Sequence, residues 1–502
     1  MQIHIKQQSL LDEACDLVVI SRYKDDRQWS AQAKALDAAM GGKLLATIEQ
    51  DGFQGKFGEW VVLPTLGVLK PRRIAFLGLG AKSKFFVDDL RKLGGGLIRR
   101  ARDSKAKSLC LSVPGRGELD GGLAELSQAF CEGLLLSAYR FHAYKGKMAE
   151  ELERHEVETV TLIAEKKPEV VAMQKGVSMA VLLADATMYA RDLVNTPSAE
   201  LTPHQLAEEA KSVAKGAGIS IKLFQKADME AMGMHATLAI ARGSHHAPVG
   251  GHLIYKPKGK TKKKIVLVGK AVTFDSGGLS LKSAEGMATM KSDMAGAAAV
   301  IALFKILPAL KPNLEIHGIF LGVENMPSGN ACRPGDVVKA MNGTTIEILN
   351  TDAEGRVTLA DALSYAATLE PDAIIDLATL TGACLVALGE DMAGLLSNDR
   401  RLAEKMKTAA HESGEPVWEL PLYHPYDEMV HSKVADLKNT GGRVGSVITA
   451  ALFLSHFVNK MPWLHLDIAG PSYVEREGRA DLPAGGTGYG VRLLARYLQA
   501  VG

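Results

Sequence analysis

The chain has 502 residues, 47% of them hydrophobic and 23% charged, with a formal net charge of +2. It is long enough for two domains with sizeable cores, and too nearly neutral for composition to argue for nucleic acid or an acidic substrate. The five cysteines are scattered and show no C-x-x-C pair, which argues against a disulfide scaffold or a thiolate metal site. No apolar run approaches the roughly 18 residues of a membrane helix. The start, Met1 to Gln8, alternates like a strand and not like a signal peptide, so a reducing, cytoplasmic location without a membrane is expected.

In chain order, Asp16–Ser21 and Arg73–Gly80 read as buried strands, Ser127–Tyr139 as a helix and Val157–Ile163 as a further strand. Lys166-Lys167-Pro168 breaks the pattern, and a long helical stretch of about 169–193 follows, stopped by Asn195-Thr196-Pro197. A domain boundary is expected there, giving 1–167 and 168–502 with the helix bridging them. Beyond it, strands are expected at Lys264–Gly269, Glu315–Val323, Thr345–Leu349, Ala373–Leu377 and Trp463–Ile468. Helical runs at Met294–Leu310 and Val357–Leu369 alternate with them. The expected fold is α/β: a smaller N-terminal α/β domain and a larger C-terminal α/β domain with a largely parallel central sheet. The lysine run from Lys256 to Lys264 reads as a solvated turn between strands.

Three segments carry the chemistry. Asn350-Thr351-Asp352-Ala353-Glu354-Gly355-Arg356 lies between a strand and a helix, where ligands collect in α/β sheets. Ordinary capping by Thr351 or Asp352, with Glu354 in the first turn, is the competing reading. Read as extended backbone, the segment sets Asp352, Glu354 and Arg356 on one face. A second segment places Lys270, Asp275 and Lys282 along a glycine-containing loop that matches neither common phosphate-binding pattern. The third puts Asp293 at the start of a small-residue helix. Asp275, Asp293, Asp352 and Glu354 are hard oxygen donors in apolar or glycine-rich surroundings, where carboxylates must be paired, protonated or metal-bound. They suit a site for two divalent cations about 3.5–4 Å apart. No histidine falls in these segments. His245-His246 reads as surface loop and His465 as a core residue.

These segments, with Arg191–Pro197, Ala435–Asn439 and His465–Gly470, resemble the signatures of the leucyl (cytosol) aminopeptidase family, bacterial aminopeptidase A type, from about residue 185 to the C-terminus. The resemblance implies a metalloprotease that hydrolyses the N-terminal residue of peptides, leucine and other apolar residues preferred. It implies two divalent metal ions per subunit, Mn2+, Zn2+ or Mg2+, held by Lys270, Asp275, Asp293, Asp352 and Glu354. Lys282 and Arg356 fall on its catalytic positions, the arginine holding a bicarbonate. Met290, Thr379, Gly382 and Ala469 fall on positions lining the pocket for the first side chain. A homohexamer is implied as well. Ala271 departs from the pattern, since many relatives have glycine there.

Two other classes stay open on sequence alone. Some bacterial relatives bind DNA, and a basic scatter from Lys70 to Arg100 with the Lys256–Lys264 run would serve that role, against the small net charge. A two-metal phosphoesterase would use the same carboxylates, with Lys270 an odd ligand for it.

Overall fold

The computed structural model describes residues 1–148, 156–259, 261, 263–475 and 481–502. By contact the chain divides into two units, one built mainly from Met1–Asp185 and the other from Ala186–Glu475 and Ala484–Gly502. The division falls inside the helix Lys167–Asn195, beyond the boundary that the break at Pro168 suggests. The reason is tertiary. Arg116 holds Glu165 at 2.7 Å and Glu169 at 3.1 Å, so the start of this helix is tied to the first unit.

In the first unit, strands β1 (Gln2–Gln7), β2 (Leu17–Arg22), β3 (Trp60–Pro64), β4 (Arg73–Gly78), β5 (Ser108–Leu111) and β6 (Thr159–Ala164) form one sheet in the order β1-β6-β5-β2-β4-β3. Every pair is parallel except the edge pair β3–β4. Leu17, Val18, Val19 and Ile20 are all buried in succession. Such a run needs cover on both sheet faces, which is the habit of parallel strands.

The second unit continues with β7 (Ser220–Phe224), β8 (Val249–Tyr255), β9 (Lys264–Asp275), β10 (Glu315–Asn325), β11 (Val337–Lys339), β12 (Thr345–Glu347), β13 (Ala373–Ala378), β14 (Ala393–Ser397), β15 (Val417–Glu419), β16 (Leu437–Lys438) and β17 (Trp463–Asp467). Its main sheet runs β15-β14-β17-β13-β9-β10-β8-β7. The centre, β17-β13-β9-β10, is parallel, and antiparallel pairs flank it. The expected strand at Thr345–Leu349 is not in this sheet. As β12 it joins β11 and β16 in a small separate sheet, because its ladder partner is Val337–Lys339 and not a central strand.

The helix Ala295–Leu310 lies directly on the sheet. A Cβ on Gly296 would collide with the carbonyl of Leu377 and approach the Lys270 amide at 3.0 Å, so only glycine lets the helix start come this close. By length and apolarity alone, the stretch Ala284–Leu310 and the helix Lys167–Asn195 could each span a bilayer. In the former that apolar surface is mostly the core of the fold.

Strand β9 is longer than its apolar run suggests. It pairs with β10 as far as Asp275, so Lys270 and Asp275 lie on a strand and only Lys282 is in the loop that follows. The register shifts between Val323 and Glu324, where Val272 and Phe274 are the successive partners and Thr273 is left over. This bulge re-aims the end of the strand. Lys270 and Asp275 are an odd number of residues apart and would face opposite ways on a regular strand. With the extra residue they line the same cavity. The bulged Thr273 keeps its polar groups satisfied: its hydroxyl donates to the Val323 carbonyl and its own carbonyl accepts from Ser198.

Candidate functional site

A cavity of about 380 Å³ opens where the ends of β9 and β13 meet the start of the helix Glu354–Thr368. Lys270, Asp275, Lys282, Met290, Asp293, Asp352, Glu354, Arg356, Thr379, Gly382 and Ala469 all line it. Every residue singled out in the three motifs and the pocket positions is therefore brought to one place.

The segment Asn350–Arg356 is not extended throughout. The helix begins at Glu354, so Glu354 and Arg356 lie in its first turn and Asp352 in the turn before it. No side chain caps this helix end. The neighbouring polar groups are used in the loop: Thr351 donates to the Gly277 carbonyl at 2.7 Å and accepts from the Ser280 amide at 2.8 Å. Asn439 donates to the Asn350 carbonyl at 2.6 Å and accepts from the Leu349 amide at 2.9 Å. The loop that carries the acids is thus fixed from both sides.

Ligating oxygens of Asp275, Asp293 and Glu354 all lie within 4.8 Å of one another. The Lys270 ammonium sits among them, 2.7 Å from Asp293 and 2.9 Å from Glu354, and donates to the Thr379 carbonyl at 2.8 Å. Lys282 lies 2.9 Å from Asp275 and 2.6 Å from Asp352. Burial works against the charge on Lys270, but the carboxylates of Asp293, Glu354 and Asp275 outweigh it and raise its pKa. Lys282 is raised for the same reason, against its own burial, by Asp275 and Asp352. Asp293 is pushed well above the usual carboxylate range by burial, and the charges of Glu354 and Asp275 add to this against Lys270. Asp275 and Asp352 are shifted upward too, mainly by burial. Arg356 is lowered to about 10 by burial.

The fit of these residues to divalent cations follows from what is left over. Asp293 Oδ2 and Glu354 Oε2 are buried without a hydrogen-bond partner. Buried carboxylate oxygens of this kind demand a cation or a proton. Four carboxylates against two ammoniums leave an excess of negative charge, and burial raises the cost of keeping Asp275, Asp293 and Asp352 ionised without a cation. The Nε of buried Arg356 is likewise unpartnered, a donor open to an anion.

Sequence reasoning missed the supports. Asn325 Nδ2 donates to Asp275 at 2.8 Å and to the Thr351 carbonyl at 2.9 Å, which joins two of the motifs. Thr379 is more than pocket lining, because its hydroxyl donates to Asp293 at 2.6 Å. Asp467 accepts from the Thr381 hydroxyl at 2.6 Å and so holds the loop after β13. The only sequence signal for these was their place at the ends of strands. His465 lies outside the cavity, fully buried, with Nδ1 2.6 Å from Asp376, and His245 and His246 are exposed.

Fold and site together define a two-unit α/β protein with a buried, carboxylate-rich cation centre at the strand ends of its larger sheet. Residues 188–495 match the catalytic domain of the cytosol aminopeptidase family, and residues 18–148 match its N-terminal domain. A probable cytosol aminopeptidase of Aquifex aeolicus is 45% identical over 471 residues, 93% of this chain and 92% of that protein. One from Nostoc punctiforme is 41% identical over 503 residues, all of both chains. Among solved structures, the bottromycin maturation enzyme BotP in complex with Mn aligns with a TM-score of 0.85 at 35% identity, covering 97% of this chain and 100% of that one. A mutant tomato leucine aminopeptidase aligns with a TM-score of 0.87 at 34% identity, covering 100% of this chain and 96% of that one.

The chain belongs to the cytosol aminopeptidase family. It is a metal-dependent peptidase that acts at peptide N-termini.

Proposed function

We propose that this enzyme uses two divalent metal ions, Mn2+ or Zn2+ with Mg2+ as a further choice, to remove N-terminal residues, with leucine and other apolar residues preferred. The observation that carries the reading is the convergence of Asp275, Asp293 and Glu354, with unpartnered buried oxygens on Asp293 and Glu354. Asp275, Asp293, Asp352 and Glu354 would hold the ions, with Lys270 as a neutral amine ligand. Lys270 must then lose the proton that the carboxylates now hold on it, so metal uptake releases protons. When bound, the cations supply Lewis acidity and water that ionises near neutral pH, and a bicarbonate supplies a proton acceptor.

The chain's own groups do the rest. Lys282, cationic and only partly exposed, aims its ammonium into the cavity, where it polarises the scissile carbonyl and stabilises the oxyanion. Arg356 cannot serve as a base, and its open Nε suits it to hold the bicarbonate. Met290, Thr379, Gly382 and Ala469 give the first side chain an apolar, small-residue wall, and Leu385 adds to it. A homohexamer fits the apolar surface left open on the second unit at Val386, Trp418, Tyr423, Val434 and Val444. A cytoplasmic setting suits five cysteines that are all buried and free.

DNA binding is not favoured. Of the basic scatter, Lys70, Arg72, Lys82, Arg91 and Lys92 each pair with an acid. In the lysine run, Lys256 pairs with Glu315, and Lys260 and Lys262 lie outside the described residues.

The test is hydrolysis of leucine p-nitroanilide by metal-stripped protein, then with manganese or zinc restored, beside Glu354→Ala. Activity that vanishes on chelation, returns with metal and is absent in the variant supports the reading. A metal-restored rate unchanged in Glu354→Ala would remove the centre from the mechanism.

A further inference from the structure

Outside the carboxylate centre, one other group of metal-ligating side chains closes on itself among the described residues. Asp427 Oδ2 lies 3.2 Å from His431 Nε2, and Asp427 Oδ1 lies 2.9 Å from His456 Nε2. The ligating atoms of all three fall within 4.8 Å of one another. The imidazole rings lie edge to face with centroids 6.1 Å apart, inclined by 67°.

The three residues come from two rigid elements. Asp427 lies in the 3-10 helix His424–Val430, and His431 caps its end. His456 caps the helix Ser446–Ser455. Val430, Phe453, Leu454 and Phe457 anchor both in one hydrophobic core, so the ligands are pre-positioned by packing and not by their mutual bonds. The side chains are about one-third to one-half exposed, which leaves an open approach for an ion and for water.

We propose that Asp427, His431 and His456 form a separate divalent-cation site whose ligand is zinc. Two imidazoles and one carboxylate are a donor set that zinc takes, with water completing a tetrahedron. Zinc–ligand arms of about 2.0–2.1 Å at tetrahedral angles put neighbouring donors about 3.3–3.4 Å apart. The present spacings of 2.9 and 3.2 Å run to the two different oxygens of Asp427, so besides a few tenths of an ångström of opening the carboxylate must turn one oxygen to the ion. Each histidine presents Nε2 to the carboxylate, so on binding the ring proton moves to Nδ1 and the Nε2 lone pair turns to the ion.

The ion would clamp the segment that supports the catalytic loop. His431 bridges to Leu437, β16 pairs with β12, and Asn439 then holds the backbone of Leu349 and Asn350 next to Asp352. The role inferred is structural, distinct from the peptidase chemistry.

The test is equilibrium dialysis of chelator-treated full-length protein against zinc, with metal counted by elemental analysis. Wild type is compared with His431→Gln/His456→Gln. The double variant is expected to bind one zinc fewer per chain and to lose part of the zinc-dependent rise in Tm. Equal zinc content in both proteins overturns the proposal. The single variants keep the test decisive if the double variant does not fold. Each should weaken binding of that one zinc by at least the roughly 10- to 100-fold that loss of an outer-shell partner already costs, and unchanged affinity in both again overturns it. Glu354→Ala, measured alongside, removes metal from the other centre only, so failure of the two readings is told apart.

Discussion

Replacing Gly355 with alanine sets two effects against each other. Gly355 is in the first turn of the helix Glu354–Thr368, so alanine there should favour the helix by up to about 1 kcal/mol. The new methyl, however, would land on Lys270 Cε, 2.5 Å from its Nζ and 2.9 Å from its Cδ. Lys270 is buried and has no slack, because its ammonium is held by Asp293, Glu354 and the Thr379 carbonyl. It must leave them, and breaking a buried ion pair costs about 3–5 kcal/mol. The expected net loss is therefore about 2–4 kcal/mol in metal-free protein, read from urea denaturation after chelation. Misplacing Lys270 by about 1 Å should also lower the rate on leucine p-nitroanilide by about 100-fold at saturating manganese. A variant as stable as wild type, with a rate within about threefold, would refute the claim that this contact sets the centre's geometry.

Two further outcomes are expected. Asn325→Ala removes the amide that joins Asp275 to the Thr351 carbonyl, and should weaken metal binding about 10- to 100-fold; an unchanged activity-versus-manganese titration would count against that role. His252 is buried between His317 and Tyr365, and burial lowers its pKa to about 4 from about 6.5. Between those values the unfolded chain binds the extra proton, so this contribution is complete above pH 6.5 and is lost as pH falls toward 4, by about 3 kcal/mol in full. Urea midpoints at pH 7 and pH 5 should separate less for His252→Gln than for wild type, and equal separations would contradict the assignment.

Much of the fold was legible because periodicity and burial coincide. The central strands at Glu315, Ala373 and Trp463 and the helix ending at Leu310 fall within a residue or two of where the pattern sets them. What escaped was set by partners distant in sequence. Thr345–Glu347 alternates polar and apolar residues like a strand wherever it pairs, and nothing local says that its partner is β11. The four acids of the centre were legible as unusual and grouped as a two-cation site by their chemistry, whereas Lys270 as a ligand and the roles of Lys282 and Arg356 came from family resemblance. Spacing alone could not bring Asp293 to Glu354, because the contact depends on a helix start that only Gly296 allows so near the sheet. The supports Asn325 and Asp467 are ordinary strand-end residues in sequence, and their importance is visible only through what they hold.

The bulge at Thr273 also limits how this segment can change in length. Deleting one residue between Lys270 and Asp275 leaves the two an even number apart, so a regular strand without the bulge would still hold both on one face. Inserting one residue while the bulge stays would turn the aspartate to the opposite face and remove a carboxylate from the centre, although no site residue had been altered. Substitutions in this stretch are filtered one at a time by packing, whereas such an insertion changes the charge of the centre at a stroke. Added length is therefore expected past Asp275, in the loop that leads to Lys282.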